Sequence, residues 1–123
     1  MEELKEFFNA IEELKELSRE GWVVVVEGTK DLRALRGIGV EGEIVVFSGF
    51  SNTAERLNGR RVIILTDYDA EGFEIEKGLV RALSSYGNIP NTELRKKIFR
   101  YIRKDITKVE ELENFIRREK NEL

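Results

Sequence analysis

The stretch Arg61-Val-Ile-Ile-Leu-Thr-Asp67-Tyr-Asp69-Ala-Glu-Gly72 decides how the chain reads. An apolar, β-branched run ends abruptly in two carboxylates one residue apart, and a glycine follows. Side chains two apart on a strand point to one side, so Asp67 and Asp69 converge where strand geometry persists to its end. Two carboxylates held together repel unless a positive charge lies between them. A hard divalent cation such as Mg²⁺, which takes oxygen ligands and keeps several waters, answers that need. Upstream, Trp22-Val-Val-Val-Val-Glu27-Gly28 repeats the design. Three acids at the ends of two buried strands mark a site rather than a solvated surface.

Working outward, residues 2–19 place Leu4, Phe7, Phe8, Ile11, Leu14 and Leu17 at helical spacing, and Gly21 ends that helix. Residues 22–26 read as a central strand buried on both faces. Asp31 to Arg36 reads as a short helix, Glu43–Phe47 as a second strand, and Asn52 as the cap of a helix running to Leu57. Val62 to Thr66 is the third strand. A helix from about Gly72 to Ser85 is expected to bury Phe73, Ile75, Leu79, Val80 and Leu83. Thr92 to Arg103 reads as a helix, with an edge strand at Ile98–Ile102 as the alternative. Thr107-Lys-Val-Glu110 has the pattern of a capping box opening a last helix. Strands alternating with helices predict an α/β fold with a small parallel sheet flanked by helices. Ligands of such sheets sit beyond the strands' C-terminal ends, where Glu27, Gly49, Asp67 and Asp69 all fall.

Composition limits the chemistry. The 123 residues contain no cysteine and no histidine, which excludes disulfides, thiolate metal sites and an imidazole base. Catalysis must run on carboxylates, Lys, Arg, Ser, Thr, Tyr or a metal-bound water. The apolar runs are strand-sized, so no membrane partner is expected and a cytoplasmic location is. A charged fraction of 37% with one proline leans towards a thermophile. Net charge is −3, unevenly spread: residues 1–20 hold seven acids against three bases, and residues 88–108 hold seven bases against two acids. The basic segment, with Arg95, Lys96, Arg100 and Arg103, suits phosphate contacts beside a phosphate-chemistry site and is otherwise a solvated helix face.

Val26-Glu27-Gly28-Thr-Lys-Asp31, the turn at Ser48-Gly49 and Thr66-Asp67-Tyr-Asp69-Ala-Glu-Gly72 together resemble the signature of the Toprim domain, which topoisomerases, bacterial primases and the ribonuclease maturing bacterial 5S ribosomal RNA share. The signature spans about residues 22–85 of a single domain, 1–123, with helical extensions at 1–20 and 91–123; it looks most like small stand-alone members. The resemblance implies Mg²⁺-dependent (or Mn²⁺-dependent) phosphodiester chemistry on RNA or DNA, as in RNA processing or DNA repair. Asp67 and Asp69 would hold the metal, and Glu27 would be a ligand or a general acid or base. Gly28, Lys30, Gly49 and Gly72 would lie against phosphate, with the helix starting near Gly72 offering N–H groups. Thr29 stands where many relatives of the maturase type carry lysine, and Lys30 follows it.

Each feature has a plainer reading. Asp67 and Asp69 could cap the next helix; Asp31 is as good a cap as a site residue. Ser48 stands level with Lys30 as a phosphate contact. A phosphatase of the haloacid dehalogenase type also follows a strand with Asp-x-Asp, but it needs Ser or Thr where Ala70-Glu71-Gly72 stands. A receiver domain would place its acids on the first strand. A metal-dependent nuclease is therefore the expectation, and a non-catalytic nucleic-acid-binding module the alternative, with a protein partner supplying specificity in either case.

Overall fold

The computed structural model describes residues 2–121. Three strands, β1 (Val23–Val26), β2 (Ile44–Val46) and β3 (Val62–Ile64), form one parallel sheet in the order β2-β1-β3. Val24 pairs with Ile44 on one side and Ile63 on the other. Six α-helices flank it: α1 (Glu2–Arg19), α2 (Thr29–Gly37), α3 (Phe50–Arg56), α4 (Ala70–Ser84), α5 (Glu93–Phe99) and α6 (Leu112–Asn121). A 3₁₀ turn at Val109–Glu111 leads into α6.

The alternation of strand side chains sorts the helices. Val24, Val26, Ile44, Ile63 and Leu65 face a core shared with Phe7, Leu14, Leu35, Phe99 and Phe115, which come from α1, α2, α5 and α6. Val23, Val25, Val45, Val62 and Ile64 face the opposite layer, with Ala54 and Leu57 at α3 and Leu79 and Leu83 from α4. All four β1 residues are fully buried, as expected of a strand covered on both faces.

β1 is the middle strand although it comes first. The chain leaves it to one side for β2 and returns to the other for β3. Such a reversal opens a crevice at the strands' C-terminal ends, here between β1 and β3. Beyond β3, Asn91 adds one parallel bridge to Ile63, its N–H donating to the Val62 carbonyl at 2.8 Å. That bridge sets α5 directly behind the end of β3.

Four local expectations change. The third helix starts at Phe50 with Gly49 as its cap; Asn52 lies inside it and donates to Ser48 Oγ at 2.6 Å. Gly49 has φ +97°, a conformation glycine adopts without strain. The capping box at Thr107 does not form: Lys108 precedes the 3₁₀ turn and no side chain caps it. The helix expected over Thr92–Arg103 forms as α5 but stops at Phe99, with a turn following; the alternative edge strand at Ile98–Ile102 is absent among the described residues. Phe73 is 53% exposed rather than inward, because the buried stripe of α4 runs Gly72, Glu76, Leu79, Leu83.

Candidate functional site

Glu27 follows β1 and Asp67 follows β3, so strand pairing alone brings residues forty apart together. The Asp67 N–H donates to Glu27 Oε2 at 2.8 Å, tying the two strand ends. Asp67 Oδ1 accepts from the Val109 N–H at 2.9 Å, and the Tyr68 N–H donates to the Thr107 carbonyl at 2.7 Å. Asp69 is the N-cap of α4, its Oδ1 accepting from the Gly72 N–H at 2.7 Å. Asp31, buried in the first turn of α2, reaches back to accept from the Gly28 N–H at 3.0 Å.

Electrostatics agree with the geometry. Burial pushes the Glu27 carboxyl up from the usual range. The Asp67 N–H opposes this, and the charges of Asp67, Asp69 and Asp31 add to it. Asp31 is raised by burial and by Asp67. Asp67 is raised by burial, lowered by the Val109 N–H, raised by Asp69 and lowered by Lys108. Among the described residues Lys108 offsets Asp67 in part, and the like charges of the other acids raise one another. Four carboxylates, each with an oxygen accepting from a backbone N–H and gathered at the ends of β1 and β3, are hard oxygen donors of the kind a divalent cation takes. The donor chemistry therefore fits Mg²⁺ or Mn²⁺. Among the described residues no three of these side chains already stand in ligating geometry, so holding the ion requires their free oxygens to turn inward.

Behind the acids lies an ion pair. Arg95, 3% exposed, donates from Nη2 to the Asp67 carbonyl at 2.7 Å and from Nε to the Thr66 carbonyl at 3.1 Å. Its Nη1 lies 3.4 Å from Glu76 Oε1, and its guanidinium covers the Tyr68 ring at 5.1 Å. Tyr68 stacks on Phe99 with centroids 5.6 Å apart. This cluster fixes the backbone between the two aspartates.

The other expected site residues divide. Lys30 is exposed on α2, and Lys96, Arg100 and Arg103 are exposed at or just beyond α5. Arg95 is a correction, since its guanidinium is spent inside the protein and offers no surface for phosphate. The Gly28 N–H is taken by Asp31. Gly72 is buried, its N–H held by Asp69 and its carbonyl by the Thr66 hydroxyl at 2.8 Å. A Cβ there would collide with the Asp67 carbonyl oxygen, so close packing, not phosphate, requires this glycine. Gly49 is exposed at the end of β2. The reading of the sequence missed the Arg95–Glu76 pair. Its signal was the stripe Gly72-Glu76-Leu79-Leu83, which puts an acid on an inward face in need of a buried base.

A three-stranded parallel sheet with acids at the ends of its two adjoining strands defines an α/β protein of the Toprim class. The Toprim domain family matches residues 22–109, and the chain belongs to it. A UPF0292 protein of Archaeoglobus fulgidus is 64% identical over 94% of this chain and 93% of its own. One from Thermococcus gammatolerans is 40% identical over 90% of this chain and 84% of its own. In structure, a putative protein from Aquifex aeolicus superimposes with a TM-score of 0.70 at 31% identity, covering 84% of this chain and 94% of that one.

Proposed function

We propose that the protein is a metal-dependent nuclease, cleaving phosphodiester bonds of RNA or DNA through Glu27, Asp67 and Asp69 with Mg²⁺ or Mn²⁺. The observation that carries this reading is the meeting of Glu27 and Asp67 across the crevice between β1 and β3, joined by the 2.8 Å hydrogen bond. Asp67 and Asp69 would hold the ion through their second oxygens, with Glu27 or Asp31 completing the set. An ion held there would neutralise charge on the phosphoryl oxygens and lower the pKa of a water.

The remaining roles fall to the chain itself. Glu27 Oε2 is fixed by the Asp67 N–H, leaving Oε1 as the atom that carries a proton to or from the reacting oxygen. Burial raises this carboxyl from its usual range, the direction that favours its holding a proton. Arg95 is a positioning residue, holding the Thr66 and Asp67 carbonyls so that the Asp67 carboxylate faces the crevice. Lys96, Arg100 and Arg103 supply exposed positive charge for the strand's phosphates.

One observation favours the non-catalytic alternative. Asp69 already serves as the cap of α4, a structural duty that accounts for this acid without any bond being cut. A cleavage assay on end-labelled structured RNA, single-stranded DNA and duplex DNA separates the two. Metal-dependent cleavage lost in Asp67→Asn and Glu27→Gln is the nuclease result. Metal binding without cleavage by the folded wild type is the binding-module result.

A further inference from the structure

Beside the acids, on the outer side of Asp69, lies a groove of about 400 Å³ lined by Tyr68, Asp69, Ala70, Phe73, Glu76, Arg95 and Lys96. We propose that this groove seats one unpaired nucleobase of a single-stranded segment, next to the phosphate held at the acid site. The proposal rests on the nucleic-acid reading above and adds the form of the ligand.

Three features of the groove carry it. Phe73 sits in the first turn of α4, off that helix's buried stripe, and over half of its surface faces solvent at the groove. An exposed aromatic face is what a base stacks on, whatever its sequence. Tyr68, its ring held by Phe99 and Arg95, forms a rigid wall of the groove, which leaves Phe73 as the stacking face. Glu76 is 7% exposed, and its Oε2 is a buried acceptor without a partner. A buried polar atom left unpaired is costly, so a donor arriving from the groove is favoured once the side chain turns towards it. Every nucleobase carries an N–H on its Watson–Crick edge, and that N–H is free only when the base is unpaired. An apolar peptide side chain would fill the same space and leave Glu76 unsatisfied.

Position adds the last argument. Asp69 belongs both to the groove wall and to the acid cluster, so a base seated here has its own phosphate at the crevice. Exposed Lys96 stands on the groove's rim, where the strand's next phosphate passes. A duplex, whose bases are stacked and paired, offers no such base without flipping one out.

The test is fluorescence anisotropy with short fluorescein-labelled single-stranded RNA and DNA, the corresponding duplexes, and the same strands carrying abasic positions, with Ca²⁺ in place of Mg²⁺. Phe73→Ala should weaken binding of the intact single strands by roughly 5- to 150-fold, the range of one lost base–aromatic stack. It should leave duplex and abasic-strand binding unchanged. Phe73→Trp should restore the affinity, and its added indole fluorescence should be quenched by intact but not abasic strands. Unchanged single-strand affinity in Phe73→Ala, or an equal loss for duplex and single strand, overturns the subsite while leaving the nucleic-acid reading standing. A wild type that binds none of the strands overturns both.

Discussion

Two glycines of α4 offer a controlled test of the packing described above, because alanine should act differently at each. In an isolated helix Gly→Ala stabilises by about 0.8–1 kcal/mol. At Gly78 the atoms nearest the new Cβ belong to the ring of Phe50, a 42% exposed side chain that can rotate away at the expense of part of its edge-on contact with Phe47. Gly78→Ala should therefore be close to neutral or mildly stabilising, about 0–1 kcal/mol, as the helix gain is offset by part of that aromatic contact. At Gly72 the Cβ meets the Asp67 backbone, its carbonyl oxygen in collision and its carbonyl carbon 2.8 Å away. Backbone cannot swing aside. Arg95 and Val109 pin Asp67, so relief must come from moving the start of α4. That movement strains the Asp69 cap, worth about 1 kcal/mol, and the Thr66–Gly72 hydrogen bond, worth a similar amount. Overpacking adds about 1–3 kcal/mol. After the helix gain is deducted, Gly72→Ala should lose roughly 1–4 kcal/mol. Urea unfolding of wild type and both variants, at matched pH without divalent ions, reads the difference directly. If Gly72→Ala proves as stable as Gly78→Ala, the close contact between α4 and the Asp67 backbone is wrong, and with it the reason given for a glycine there.

Further outcomes are expected. Removing divalent ions from a saturated sample should lower the melting temperature, since a ligand at a hundred times its Kd contributes about 2.7 kcal/mol; Asp67→Asn should abolish the difference. In metal-free protein the raised carboxyls of Glu27 and Asp67 bind protons more tightly folded than unfolded. Stability should thus fall as pH rises from about 4, through the window up to their raised folded values, then level off. Asp67→Asn keeps an oxygen for the Val109 N–H and should show a shallower fall; an equal or steeper one would count against the like-charge reading. Arg95→Met should cost about 3–5 kcal/mol in urea unfolding by leaving Glu76 buried without its counter-charge. The double variant Arg95→Met/Glu76→Leu should cost less than the single losses summed.

What could be read from the chain follows from the range of the forces involved. The strands were legible because Val23–Val26 and Val62–Ile64 are β-branched runs whose burial on both faces leaves no periodicity to confuse. The acids were legible because each closes such a run. Helix boundaries slipped where a tertiary contact outbid a local signal. Gly49 displaced Asn52 as a cap, and the turn after Thr107 begins one residue later, at Lys108, while the Thr107 carbonyl accepts from the Tyr68 N–H. Arg95 was placed on the surface because a basic segment looks uniform in sequence. Its partners, the Thr66 and Asp67 carbonyls and Glu76, come from β3's end and α4, so its inward place is set by tertiary contacts, while Lys96, Arg100 and Arg103 stay out. That the Asp67 carboxylate is held by an amide 42 residues later had no local trace at all.

The late origin of that amide bears on how the protein is made. Translation delivers both strand-end acids well before it delivers Val109, and domains fold progressively as the chain emerges. A nascent chain that has paired β1 with β3 already brings Glu27 and Asp67 together, but lacks the N–H and the neighbouring Lys108 that temper the charge of Asp67. The sheet can thus form before its acidic end is calm, and the segment at 107–109 acts as the clasp that closes it. The order of synthesis thus leaves the last of the contacts that settle Asp67 to a segment some forty residues beyond it.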